Sequence, residues 1–185
     1  MSRISHFAAA VLATAYIADA SAAVSVVGAG PEKACYEASK SRHPARRAIS
    51  DCTMALEQSP LSSEDRAATF VNRSVLLLRA EKSRAALHDT DSALAIIPDM
   101  PAASVNRAAA LIRLERYAEA REMLDRVLPN ADGINLTRGL FNRAVAAEAL
   151  GDTRAAYADY TRILQLDPEF EDARLELARF QVSTN

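Results

Sequence analysis

The stretch SVNRAAALIRLERYAEAREML, residues 104–124, contains a triplet that does not stay unique. Asn106-Arg107-Ala108 appears upstream as Asn72-Arg73-Ser74 and downstream as Asn142-Arg143-Ala144, at spacings of 34 and 36 residues. A chain that repeats itself at such a step is built from small supersecondary units. One unit of that length cannot bury its own apolar face, so neighbours must stack to make a core.

The units are helical. Ala is abundant, and only five Gly and seven Pro are spread over 185 residues, a composition that keeps the free energy of helix low. Aligned on the triplet, repeats begin near Ala67, Pro101 and Thr137, each reading as two amphipathic helices. The turns between them fall at residues 80–83, 114–117 and 150–153. Small residues recur where the two helices should cross, pairing Ser74 with Ala86, Ala108 with Ala120 and Ala144 with Ala156. Pro98 and Pro168 stop the second helices, since Pro cannot continue one.

This period, with small residues at the crossings and Pro at the end, resembles the tetratricopeptide repeat. The segment GLFNRAVAAEALGDTRAAYADYTRILQLDPEFEDA is the best match, carrying Ala144, Gly151, Ala156, Tyr160 and Pro168 at the places the family favours. Ile163 departs from the usual Ala, and the Pro101 repeat has Pro129 three places early, which predicts a short second helix and an irregular loop. A divergent fourth copy precedes these, with ARRAISDCTMALEQSP aligning on SRAALHDTDSALAIIP. The resemblance implies an all-α, right-handed α-solenoid of about four hairpins plus a C-terminal capping helix. The expected organisation is a leader at 1–22, a linker at 23–30 and a repeat domain at 31–185. Its repeats fall near 29–66, 67–100, 101–136 and 137–170, with a cap at 171–182.

First helices line a concave groove in that family. By resemblance, the groove residues are Val71, Asn72, Val75 and Arg79, then Val105, Asn106, Ala109 and Arg113, then Arg138, Phe141, Asn142 and Val145. The surface is apolar with a ladder of three Asn, whose amides offer both donor and acceptor to a peptide backbone. SVNRAAALIRL is also similar to the middle repeat of carboxylate-clamp cochaperones. Val71 and Val75 stand where a clamp needs Lys and Asn, however, and Arg138 is the one base in register, so a working clamp is not expected.

Two further expectations follow from the alignment. Arg73 with Asp89 and Arg143 with Asp159, each 16 residues apart, should pair across their hairpins, while Arg107 has Met123 at that place. Cys35 and Cys52 fall on facing places of the first hairpin, where a disulfide would brace an end repeat.

The N-terminus reads as an address. Arg3 precedes an apolar run from Phe7 to Ala18, and Ala20-Ser21-Ala22 fits the small-x-small pattern of a secretory cleavage site. The run is shorter than the roughly 20 residues a bilayer requires. The mature chain is therefore expected to be exported, periplasmic or secreted, cleaved near Ala22 and not inserted in the membrane. Acidic and basic residues are intermixed at a net charge of -2, without the basic stripe of a nucleic-acid binder. The dense basic cluster of Arg42, His43, Arg46 and Arg47 is read as a solvated turn. His6, His43 and His88 are isolated, and the Cys spacing matches no metal pattern. No catalytic residue, metal or cofactor is assigned. The functional expectation is a non-catalytic adaptor that binds a segment of a partner protein in its groove, the alternative being a structural homo-oligomer.

Overall fold

The computed structural model of the chain describes residues 22–26, 30–41 and 45–180. The expected leader, apart from Ala22, lies outside them, as do Arg42 and His43 of the basic cluster. The described residues form nine α-helices and no strand. They pair as hairpins: α1 (Pro31–Lys40) with α2 (Ala45–Gln58), α3 (Ser63–Arg79) with α4 (Ser83–Ile96), α5 (Pro101–Arg113) with α6 (Tyr117–Val127), and α7 (Gly133–Ala149) with α8 (Thr153–Leu166). A lone α9 (Glu171–Ala178) packs on α8 and closes the stack.

Local chemistry sets the boundaries. Pro31 and Pro101 stand in the first turns of α1 and α5, where their missing N–H is no loss. Ser62 caps α3, its hydroxyl accepting from the Asp65 amide at 3.0 Å, and Asp152 caps α8 through the Ala155 amide at 3.1 Å. The three later hairpins turn through a left-handed residue at equivalent places: Glu81 and Glu115 at φ 59° and Gly151 at φ 82°. Gly151 adopts that conformation without the steric cost a Cβ brings. The second helix of the Pro101 repeat is short, as expected. It passes into a 3-10 turn, Leu128–Asn130, that contains Pro129. α3 and α7 begin four residues before the expected repeat starts of Ala67 and Thr137.

The small residues sit between the helices. Ser74, Ala86, Ala108, Ala120, Ala144 and Ala156 are all fully buried. Larger side chains fill the flanks. Leu111, Leu124, Phe141, Tyr160 and Ile163 share one cluster spanning two repeats, and the Phe141 ring lies 5.6 Å from that of Tyr160 and 5.7 Å from that of Phe170. Gly139 allows the closest approach, since a Cβ there would stand 2.5 Å from Leu128. The stacking is asymmetric. α1, α3, α5 and α7 touch one another in sequence, whereas the second helices make at most slight contact with each other. The row of first helices is therefore the inner, concave face of a solenoid.

The seams carry the expected ion pairs. Arg73 holds Asp89 with two bonds of 2.7 Å, and its remaining nitrogen donates to Thr53 at 3.0 Å. Arg143 holds Asp159 with two bonds of 2.8 Å and Asp125 of the neighbouring repeat at 2.9 Å. Arg107 has Met123 where the others have a carboxylate, and turns instead to Asp91 of the preceding repeat at 2.6 Å. Asp89 is 2% exposed and Asp91 52%, which decides their worth. Asp89→Ala strands a half-buried guanidinium and should cost about 1.5–3 kcal/mol. Asp91→Ala should cost under about 1 kcal/mol. Urea unfolding of the two variants side by side checks the contrast.

Cys35 and Cys52 are joined in a disulfide whose Cα atoms lie 4.7 Å apart. The bridge ties α1 to α2 in a hairpin that, among the described helices, has a neighbour only in α3. A loop of this size contributes about 3 kcal/mol by restricting the unfolded chain. Reduction should therefore lower the melting temperature. Alkylation of the unreduced, unfolded chain should add no label, which mass spectrometry reads directly.

Candidate functional site

The concave face holds a segment of the chain itself. Residues 22–26 run extended along α3 and α5. Asn72 Oδ1 accepts from the Val24 amide at 2.7 Å, and Asn72 Nδ2 donates to the Val24 carbonyl at 2.8 Å. Asn106 does the same one repeat on, with Oδ1 accepting from Ala22 N at 2.9 Å and Nδ2 donating to Ala22 O at 3.3 Å. Each side-chain amide thus stands where a neighbouring strand's peptide group would stand, and reads backbone alone.

The spacing follows from strand geometry. In an extended chain, the N–H and C=O of one residue point to the same side, and residues i and i+2 share it. Two residues advance about 6.6 Å, and the two Asn advance by one repeat. Ala22 meets α5 and Val24 meets α3, so the segment runs opposite to the repeat order. Ser74 supports Asn106, its hydroxyl accepting from Nδ2 at 3.3 Å, and the Ser39 hydroxyl lies 3.3 Å from Asn72 Oδ1.

Asn142, the third residue of the ladder, is in a different state. It is 1% exposed, and its Nδ2 donates to the Val105 carbonyl at 3.2 Å. Its Oδ1 is buried and meets no donor among the described residues, an unusual condition for a buried amide oxygen.

The apolar residues expected on the groove surface lie deeper. Val71, Val75, Val105, Ala109 and Phe141 are at most 1% exposed. Val71 shares a cluster with Ala22, Ala102 and Ala103, with Val24 packed at its edge, so the extended segment itself helps to cover it. Val105 and Phe141 belong to the cluster between repeats. Val145, Arg113 and Arg138 are partly exposed. Arg79 donates to the Ser41 carbonyl at 2.7 Å, completing the C-terminus of α1. Residues 23–30 are expected as a linker, but Ala23–Val26 belong to the groove segment. Only Val24-Ser25-Val26 alternates, too short a run to read as a strand.

Titratable chemistry lies elsewhere. Burial, with the Glu148 carboxylate close by, pushes the Tyr160 phenol far above its ordinary range. The Ala155 amide and then Arg121 pull the Asp152 carboxyl down, Arg116 does so for Glu119, and Asp159 holds the Arg143 guanidinium more firmly protonated. These groups lie on second helices or at seams, and none is a ladder residue. His88 is 79% exposed. Among the described residues, no cluster of His, Cys, Asp and Glu could hold a metal, and no helix is long and apolar enough to cross a membrane.

A family model described as tetratricopeptide repeat matches residues 77–136. A solved structure described as "MamA RS-1 ArsTM double mutant", itself of this repeat class, superposes at TM-score 0.60. The match has 17% identity and covers 82% of this chain and 83% of that one. Residues 77–136 are thus similar to the tetratricopeptide repeat, and the chain shares the fold of that solved solenoid. No curated protein matches it in sequence. The repeat match spans the end of α3 through α6, and the superposition extends the likeness in fold to most of the solenoid.

Within this groove, Asn106→Ala should release one end of the segment. It removes the acceptor and donor that satisfy Ala22, and each buried group left unmet costs about 1–3 kcal/mol. Amide exchange at Ala22 and Ala23 should accelerate at least tenfold while the exchange of α8 stays unchanged.

Proposed function

We propose that this chain is a non-catalytic adaptor whose concave groove binds an extended segment of a partner protein. Tetratricopeptide repeats are protein-interaction scaffolds in general. The observation that carries the finer reading is the pair of two-bond contacts by which Asn72 and Asn106 hold the backbone of Val24 and Ala22. A surface that recognises peptide groups in this way accepts foreign peptide by the same bonds, which is strand addition performed by side chains. We place the protein in the periplasm, on the strength of the apolar run and the Ala20-Ser21-Ala22 site; removal of a leader at 1–22 would take Ala22 from Asn106 and leave the Val24 contact on Asn72. In the periplasm an oxidising milieu suits the Cys35–Cys52 bridge.

A second reading follows from the same contacts. The occupant belongs to this chain, so copies that exchanged it would be linked head to tail. A homo-oligomer built this way would dissociate when Val24→Pro removes the donated N–H. Light scattering decides between the two, and a monomer for both the parent and the Val24→Pro chain excludes the second.

The adaptor reading is tested by capture from envelope extract. Proteins retained by the parent chain should be lost, by tenfold or more, with the Asn72→Ala/Asn106→Ala variant. They should be retained with Arg126→Ala, whose side chain is 66% exposed on α6. An identical set of captured proteins from all three chains would refute groove binding.

A further inference from the structure

The Ala20-Ser21-Ala22 pattern marks the bond between Ala22 and Ala23 for cleavage. That bond lies inside the segment resident in the groove. We propose that the folded solenoid shields it from a leader peptidase, so that the leader is removed before α3 and α5 pack together or is kept. This rests on the leader reading above. It adds the interval in which removal can happen and makes the two engaged rungs of the Asn ladder the guard.

A peptidase that takes its substrate as an extended strand pairs with the peptide groups on either side of the scissile bond. Here those groups are already taken. On one side, the Ala22 N–H donates to Asn106 Oδ1 at 2.9 Å and the Ala22 carbonyl accepts from Asn106 Nδ2 at 3.3 Å. On the other, the Val24 N–H donates to Asn72 Oδ1 at 2.7 Å and the Val24 carbonyl accepts from Asn72 Nδ2 at 2.8 Å. The Ala22 carbonyl is also the group the reaction attacks. Hydrolysis adds the oxygen of one water to its carbon and breaks the C–N bond. Ala22 leaves as a carboxylate and Ala23 becomes the new α-amino end. During attack the carbonyl oxygen gathers charge that the peptidase must meet with its own donors. Held by Asn106, it cannot reach them.

The side chains are in the same competition. Ala22 is 2% exposed and belongs to one buried cluster with Val71, Ala102 and Ala103. The cleavage pattern requires a small residue at this place, and a small residue is what the cluster admits. Groove and peptidase thus read the same features of residue 22, and one excludes the other. Among residues 22–26 only Ser25 is exposed, and it lies beyond the bond.

Distance along the chain sets the order of events. Asn72 follows Val24 by 48 residues and Asn106 follows Ala22 by 84. Contacts so far apart form late, because the intervening chain must be closed first. Until α3 and α5 lie side by side, these two Asn cannot cover the bond. Removal in that interval takes Ala22 away from Asn106 and leaves Val24 on Asn72. A chain that folds first keeps Asn106 occupied, so the timing of cleavage decides whether that rung is open to a partner.

The test uses the full chain in non-ionic detergent, a purified bacterial leader peptidase and a synthetic peptide of residues 7–30. Mass spectrometry times the appearance of the product that begins at Ala23. The peptide should be cut after Ala22. The folded parent should be cut about a hundredfold more slowly, since cleavage draws on the small fraction of time the segment is out of the groove. Asn72→Ala/Asn106→Ala should be cut about tenfold faster than the parent, as loss of these bonds eases local opening. Its circular dichroism and the amide exchange of α8 should be unchanged. Val24→Pro removes a donated N–H from the segment and lies outside every described helix. It too should be cut faster than the parent, each rate being scaled to a peptide carrying the same residue.

A folded parent cut as fast as the peptide overturns the shield, and so does protection that is unchanged in both variants. A peptide left whole, or cut at another bond, overturns the leader reading together with the inference built on it. The adaptor reading is separate from these outcomes, because it stands or falls on capture through Asn72 and Asn106.

Discussion

Two helices can lie this close only where the side chains between them are small. Ser74 on Ala86, Ala108 on Ala120 and Ala144 on Ala156 meet that condition in three successive hairpins, all without solvent exposure. Tight crossing leaves each hairpin with little interior of its own, so its larger side chains project toward the next repeat. Leu111, Phe141 and Tyr160 belong to one cluster for this reason. The asymmetry of the stack follows as well. First helices touch first helices while second helices diverge, and the surface curves toward the closer row. The groove is thus a consequence of where small residues fall.

That curvature determines what a side chain on the inner row can do. Asn at the same place on α3, α5 and α7 recurs once per repeat, and the amides of Asn106 and Asn72 meet residues two apart in the segment. An Asp carboxylate could offer acceptors there but no donor, and a Ser hydroxyl only one atom where two are needed. Asn presents both in one plane, as a peptide group does. The result is recognition of backbone with little demand on the side chains beyond their size. The two Asn contacts themselves involve no charged group. The strong ion pairs, Arg73–Asp89 and Arg143–Asp159, lie at the seams between first and second helices. There they lock each hairpin.

The architecture was readable because it is periodic. Helix pairs, small crossings, seam pairs and the short second helix before Pro129 all repeat or break a pattern that one copy teaches about the next. Arg107 shows the limit of that logic. Met123 correctly signalled the absent carboxylate, but the substitute came from Asp91 in the preceding repeat, a contact between units that alignment within a unit does not display. The groove was readable in part. Asn72, Asn106 and Asn142 stand out as a ladder, but periodicity does not say how deep a residue lies. Val71, Val105 and Phe141 are closed over by neighbouring repeats or by the resident segment. The segment itself, five residues with no copy elsewhere, reads as a linker because its strand character depends on a groove that only the folded chain supplies.

The disulfide and the resident segment address opposite ends of one mechanical problem. A terminal hairpin is held from one side, and the Cys35–Cys52 bridge compensates by tying α1 to α2 covalently. The seventh place of the aligned repeat, where later first helices carry Arg73, Arg107 and Arg143, is Cys35, so the bridge occupies the place of the seam Arg. The place before it is Ala34, where the ladder has its Asn. The first repeat therefore braces the stack but offers no rung, and the ladder ends at Asn72. Val26, the residue that would meet a rung there, is buried. The side-chain amides that can hold a backbone in this row are therefore confined to the three later repeats, whose first helices also carry the seam Arg.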